Sequence, residues 1–385
     1  MRTATARLWW LHGSPCAGKS VTAWELHTNL LAGEPRAYFD VDQVGMCYPE
    51  REDDPDRYAL KARSARALAR CLVAAGARTV VVSGVLDDAS MQALRGEAVH
   101  GTDVAFCRVR VDRDELVRRL RARYGPDLAQ RALDEAEDAD RLDEGHLTVD
   151  SGSAPPREVA ARAAELLEGA RPGSPPPRVD PLPAPPPLPA PDGATAVLLV
   201  GPPGAGKSTA GFALFSTLLD DGRPSSFLDL QQVGFLADVP RPADDPGGHR
   251  LRAACVAEVW REHRAGGARA LVLNGHVRTQ GDVAHYRAAL GDVTLTVVRL
   301  RVGRESLEDR LRERTLGLGP ALAGDELVGA DADEVQRTVD RALSEQRRLE
   351  DEDPADVVVD TDGVDAHAVA EEIAALLGGE PAEDG

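Results

Sequence analysis

The chain has 385 residues and a formal net charge of −19, which argues against a protein that grips nucleic-acid backbone over a long track, since such proteins carry a basic surface. Its apolar share of 43% suffices for buried cores, and its length exceeds what one core usually sustains, so two domains are expected. No apolar run reaches bilayer length, residues 1–11 lack the shape of a signal peptide, and the five cysteines show no paired or metal-type spacing. These features predict a soluble cytoplasmic protein with reduced thiols.

In chain order, short β-rich runs alternate with helical periodicity. The first half predicts strands near 7–12, 36–40, 79–83, 104–110 and 147–150. Helices are predicted near 19–32, 58–75, 88–97, 112–123, 128–140 and 157–168. Apolar strands alternating with helices imply a parallel sheet covered on both faces, with ligands at the carboxyl ends of its strands. Residues 171–192 are half proline. They cannot form a helix or a central strand, and predict an extended polyproline II spacer. The expected domains are 1–170 and 195–379, joined by a 171–194 linker and followed by a disordered tail at 380–385.

The two sides of the spacer repeat one another. Lys19 and Lys207 are 188 residues apart. Asp40-Val41-Asp42-Gln43-Val44-Gly45 answers Asp229-Leu230-Gln231-Gln232-Val233-Gly234. Leu116-x-x-Arg119-Leu120-x-x-Arg123 answers Leu307-x-x-Arg310-Leu311-x-x-Arg314, and Val149-Asp150-Ser151 answers Val359-Asp360-Thr361. The drift in spacing places an insertion at about residues 315–335 of the second half.

Lysine is rare here. Lys19, Lys61 and Lys207 stand against 42 arginines. Two of the three close the pattern Gly-x-x-x-x-Gly-Lys-Ser, as Gly13-Ser14-Pro15-Cys16-Ala17-Gly18-Lys19-Ser20 and as Gly201-Pro202-Pro203-Gly204-Ala205-Gly206-Lys207-Ser208, followed by Thr209. Each loop follows an apolar strand and opens a helix. Backbone N–H groups in that setting cradle phosphate, and a compact ammonium reaches the β- and γ-oxygens where a planar guanidinium fits differently. Ser20 and Ser208 then suit Mg2+.

At the end of the second strand stand Asp40 and Asp42. A carboxylate there can hold a metal-bound water or take the proton of an acceptor hydroxyl. The same residues also suit N-cap or turn roles. The second half keeps Asp229 but has Gln231, which cannot accept a proton. The third strand ends in Ser83 or Asn274 rather than an acid, which counts against a motor-type or GTPase-type site and shifts the metal role to Asp40 and Asp229. Arg119 and Arg123 share a helix face, as do Arg310 and Arg314. Either pair can close over a transferring phosphoryl group or form a solvated basic face. The acidic loops at 49–56 and 238–246 suit solvated turns more than a wall of the acceptor pocket, and His12 and His276 suit packed or surface positions.

With these motifs the chain resembles a tandem of P-loop small-molecule kinases, the group holding adenylylsulfate kinase, gluconate kinase, chloramphenicol phosphotransferase and polynucleotide 5′-kinase. The resemblance implies an α/β fold of two tandem P-loop NTPase domains, each a five-stranded parallel sheet in the order 2-3-1-4-5. It implies ATP as donor and Mg2+ as its metal. The expected activity is ATP- and Mg2+-dependent phosphotransfer to a hydroxyl of a small molecule, with the N-terminal half the better catalytic candidate. Lys19, Asp42, Arg119 and Arg123 are its expected catalytic residues. The two glycine loops with Arg310 and Arg314 are expected to bind nucleotide, and Ser20, Asp40, Ser208 and Asp229 to bind the metal. The alternative is a non-catalytic or regulatory protein with two ATP-binding heads.

Overall fold

The computed structural model describes residues 6–96, 102–123, 133, 147–170, 193–233, 235–316 and 327–378. The proline-rich spacer, the C-terminal tail, most of the helix expected at 128–140 and the middle of the expected insertion lie outside the described residues. Two compact units emerge. Unit 1 comprises Met1–Gly45, Glu52–Ala184 and Gly234–Pro240; unit 2 comprises Met46–Arg51, Pro185–Val233 and Arg241–Gly385.

In unit 1, strand β1 (Ala6–His12) leads through the first glycine loop into α1 (Lys19–Glu25), which continues as a single π-helical segment over Leu26–Leu30. Then come β2 (Arg36–Asp40), the short α2 (Val41–Val44) and α3 (Tyr58–Ala74). β4 (Thr79–Ser83), α4 (Asp88–Gly96), β5 (Thr102–Arg110), a helix α5 over 113–123, β6 (Leu147–Asp150) and α6 (Pro156–Gly169) follow. β3 (Cys47–Tyr48) belongs to unit 2.

The central strands are apolar because both sheet faces are covered. Trp9, Trp10 and Leu11 of β1 and Val80–Val82 of β4 are essentially fully buried. Burying each such side chain contributes roughly 1.5–3 kcal/mol. Asp54, in the acidic loop, fixes the start of α3 by accepting the N–H groups of Ala59 and Leu60 at 3.1 and 2.9 Å, which satisfies donors that the first helical turn leaves open.

Among the described residues, the sheet of unit 1 has six strands, not the expected five. Its order is β6-β5-β1-β4-β2-β9, with β9 being Phe235–Ala237. The five longer strands run parallel, whereas β9 pairs antiparallel with β2, Tyr38 opposite Phe235 and Arg36 opposite Ala237. An uncovered β2 would present a row of free N–H and C=O groups; β9 covers them. Phe235 also stacks on Tyr38 at 5.9 Å and meets Trp24 edge-on at 4.9 Å. Asp238, just beyond the strand, pairs with buried Arg36.

Unit 2 is built from β7 (Thr195–Val200), α7 (Lys207–Asp220), β8 (Ser225–Asp229), α8 (His249–Ala265), β10 (Ala270–Asn274) and α9 (Gln280–Leu290). It continues with β11 (Thr294–Arg301), α10 (Arg304–Thr315), α11 (Ala332–Glu352), β12 (Val357–Asp360) and α12 (Ala366–Gly378). Among the described residues its sheet also has six strands, in the order β12-β11-β7-β10-β8-β3, and β3 is the antiparallel edge strand. Tyr48 of β3 packs edge-on against Phe215 at 5.8 Å, and the Phe227 N–H donates to the Met46 carbonyl at 3.0 Å. Asp245 fixes the start of α8 by accepting the His249 and Arg250 N–H groups at 2.8 and 3.0 Å. Among the described residues, no disulfide joins any of the five cysteines. Among the described residues, no helix is long and apolar enough to cross a membrane.

Candidate active site

Both glycine loops sit at the carboxyl end of the central strand of their sheet, the position where open α/β sheets bind ligands. Their glycines have a steric cause. Gly13 and Gly201 have φ of 131° and 155°, and a Cβ on either would lie 2.3 Å from the Val109 carbonyl oxygen or 2.8 Å from that of Leu300. Any side chain there would push the loop off its neighbouring strand. Gly18 and Gly206, also left-handed, start α1 and α7 with no side-chain cap. The free N–H groups of a helix start are thereby left for an anion.

In unit 1, buried Lys19 donates from Nζ to the Ser14 carbonyl at 2.9 Å. Burial lowers its pKa, and Asp42 and Asp40 oppose that shift. Asp40 caps α2. Its Oδ1 accepts the Asp42 N–H at 2.9 Å, while Oδ2 accepts the hydroxyls of Ser20 and Ser83 at 2.8 Å each. The N-cap role and the site role therefore fall on one carboxylate. Burial raises the Asp40 pKa and the nearby Asp42 raises it further.

Asp42 is half-exposed and forms an ion pair with buried Lys61, Nζ to Oδ1 at 2.8 Å. Lys61 belongs to none of the sequence motifs. Its signal was that it is the third lysine in a chain that otherwise uses arginine.

Arg119 reaches the glycine loop: its Nη1 lies 3.4 Å from the Cys16 carbonyl and 3.4 Å from Ser151 Oγ. Glu115, four residues earlier, holds its Nε at 2.7 Å. Ser151 donates to the Ala17 carbonyl at 2.7 Å, bracing the loop from β6. Arg123, one turn further along α5, is exposed. The two arginines expected to act together thus occupy different environments.

In unit 2, Lys207 donates to the Gly201 and Pro202 carbonyls at 2.9 Å each, and burial lowers its pKa to about 8. Asp229 Oδ1 accepts the Gln231 N–H at 2.8 Å, and Oδ2 accepts Nδ2 of Asn274 at 3.0 Å. Burial raises the Asp229 pKa. Arg310 donates to Thr361 Oγ1 at 3.0 Å and approaches the Gly204 carbonyl at 3.4 Å.

A cavity of about 640 Å³ opens here, lined by the loop, Asp229, Gln231, Asn274, His276, Arg310 and Arg314. His276 therefore lines the site, which its expected packed or surface placement did not convey. Its Nδ1 lies 3.8 Å from buried Glu345, and burial, followed by Lys207, lowers its pKa to about 4.

The donor sets suit a hard cation. Carboxylate and hydroxyl oxygens cluster at Ser20, Asp40 and Ser83, and again at Ser208 and Asp229. Asn274 Oδ1 is buried with no hydrogen-bond partner, so this second cluster has an acceptor to spare. Among the described residues, no group of three or more His, Cys, Asp or Glu side chains is placed to hold a metal. Mg2+ does not require one, because it keeps several waters and binds through one or two carboxylates together with phosphate.

Residues 8–142 match the family model for an AAA domain. Among solved structures, shikimate kinase from Acinetobacter baumannii in complex with shikimate aligns at 23% identity, covering 48% of this chain and 93% of that one, with a TM-score of 0.27. An APS kinase from Mycobacterium tuberculosis, in complex with AMPPNP and APS, aligns at 16% identity over 48% and 98% of the two chains, TM-score 0.30. A gluconokinase from Sinorhizobium meliloti 1021 aligns at 21% identity over 43% and 94%, TM-score 0.31. No curated protein matches the chain.

Proposed function

We propose that the protein is an ATP- and Mg2+-dependent phosphotransferase acting on a hydroxyl of a small molecule, and that its two units are copies of one ancestral P-loop domain. The duplication is supported by the motif offsets and by the matching place of each loop in its sheet. On this reading the domains are 1–170 and 195–379.

Unit 1 is the better catalyst. The observation that carries this is Asp42: a half-exposed carboxylate, ion-paired to Lys61, within electrostatic reach of the loop lysine Lys19. Asp42 accepts the proton of the acceptor hydroxyl as that oxygen attacks the γ-phosphorus. Lys19 and the loop N–H groups bind and orient the phosphates. Arg119 holds the loop through its carbonyls and, with Arg123, balances charge that develops during transfer. Ser20 and Asp40 would hold Mg2+ in unit 1, and Ser208 and Asp229 in unit 2. The metal, when bound, supplies neutralisation of phosphate charge.

Unit 2 binds ATP through Lys207, Ser208, Thr209, Arg310 and Arg314. Gln231 leaves it without the proton acceptor that unit 1 has. Asp42→Asn tests the reading. Phosphotransfer should fall roughly 100-fold or more, as for loss of a general base, while ATP affinity stays within about twofold. Full activity in that variant would remove Asp42 as the proton acceptor, and ATP binding with no phosphotransfer even in the wild type would favour the alternative, a protein whose two heads bind ATP without turnover.

A further inference from the structure

We infer that Lys61 is a positioning residue for the phosphoryl transfer in unit 1: its ammonium holds one oxygen of the Asp42 carboxylate and leaves the other free for the acceptor proton. The inference rests on Asp42 being the proton acceptor. Lys61 lies in the first turn of α3, and Asp54 accepts the Ala59 and Leu60 N–H groups of that turn, so the acidic loop fixes where the ammonium stands. Its side chain is 9% exposed and Nζ lies 2.8 Å from Asp42 Oδ1. The stem packs on Gly45, where a Cβ would come 2.6 Å from Lys61 Cγ, and Nζ lies 5.6 Å from the Tyr58 ring. A buried ammonium with so little freedom fixes the carboxylate it touches.

The other oxygen, Oδ2, faces Gly84. A Cβ at Gly84 would lie 3.3 Å from it and 2.3 Å from Val41 Cγ1. Glycine at this position keeps the approach to Oδ2 open. The proton of the acceptor O–H passes to Oδ2 while the new bond from that oxygen to phosphorus forms. The bond from phosphorus to the β–γ bridging oxygen breaks, ADP leaves, and the carboxyl returns its proton to water.

The ammonium suits this task better than a guanidinium. Arginine binds carboxylate through both oxygens at once, and would occupy the one that must take the proton. A chain with 42 arginines has kept lysine here. Unit 2 supplies an internal comparison. Its position matching Lys61 is Arg252, whose Nη1 donates to the Gly247 carbonyl at 2.8 Å, and the position matching Asp42 is Gln231. Where the carboxylate is lost, the lysine is lost with it.

The test uses the full chain carrying Lys207→Ala, so that unit 1 alone is read, with ATP, Mg2+ and water as acceptor. Lys61→Met and Lys61→Arg should each lower kcat roughly tenfold or more with KM for ATP within about twofold. Adding Lys61→Met to Asp42→Asn should cost nothing further, because coupled residues are not additive. Full activity in Lys61→Arg would assign Lys61 a purely structural charge and overturn the inference. Independent losses in the double variant would do the same. If Asp42→Asn itself has no effect, the proton-acceptor assignment falls, and this inference with it. A crystal structure of Lys61→Met gives a readout independent of turnover: the Asp42 carboxylate should leave its present position, and an unmoved carboxylate would overturn the positioning role.

Discussion

Asn274 donates from one amide nitrogen to both Ser208 Oγ and Asp229 Oδ2, each at 3.0 Å. It stands at the end of β10, where an acid would be expected in a motor-type site, and ties together the two residues proposed to hold the metal in unit 2. Changing it to a carboxylate removes the donor and sets a second negative charge against Asp229, whose pKa burial already raises. Asn274→Asp should lose roughly 1–3 kcal/mol of stability in chelator. Mg2+ should restore more stability to the variant than it adds to the wild type. Thermal melts with EDTA and with Mg2+ check this.

The depressed pKa of Lys207, about 8, makes nucleotide binding proton-linked. Near pH 8.5 the free protein holds this amine largely neutral, and a bound triphosphate favours the ammonium. Binding should take up a proton there and very little at pH 6.5, where the amine is already charged. Calorimetry in buffers of different ionisation enthalpy measures the uptake. Lys207→Ala should abolish the part that belongs to unit 2.

His27 gives unit 1 a pH response. It is 5% exposed, its Nδ1 has no hydrogen-bond partner, and burial, then Arg36, lowers its pKa to about 4. Between pH 6.5 and 4 the unfolded chain binds a proton that the folded chain refuses. Stability should therefore fall as pH drops through that window, by up to about 3 kcal/mol. His27→Phe should flatten this part of the profile relative to wild type. Denaturant midpoints at pH 7 and pH 4.5 compare the two.

The parallel strands were legible in the sequence because each is a continuous apolar run between turn residues. The predicted 36–40 and 79–83 coincide with the observed Arg36–Asp40 and Thr79–Ser83. The edge strands were not. Cys47–Tyr48 and Phe235–Ala237 are too short to show alternation, and β9 finds its partner about 200 residues away at Arg36–Tyr38. The helix predicted at 19–32 changes to a π-helical segment at Leu26–Leu30, which no periodicity announces. In the site, the glycine loops were legible because their pattern encodes backbone geometry. Lys61 and His276 were not, because their meaning depends on Asp42 and Lys207, which only the fold brings near.

Phe235 should matter to unit 1 beyond its three-residue strand. It closes an aromatic cluster with Trp24, His27 and Tyr38. Phe235→Ala should cost roughly 2–3 kcal/mol, less than a fully buried phenylalanine, because the ring is only partly covered. Amide exchange should quicken along Arg36–Asp40, where the β9 pairing is lost. A chain ending at residue 170 lacks β9 altogether and should show the same weakened edge.

The central claim is that each glycine loop binds the phosphates of ATP, with Lys19 or Lys207 as its cation. Isothermal titration of the full chain with ATP and Mg2+ tests it most directly. Two bound nucleotides per chain are expected, falling to one in Lys19→Ala, to one in Lys207→Ala, and to none when both are changed. Unchanged stoichiometry and affinity in the double variant would contradict the account.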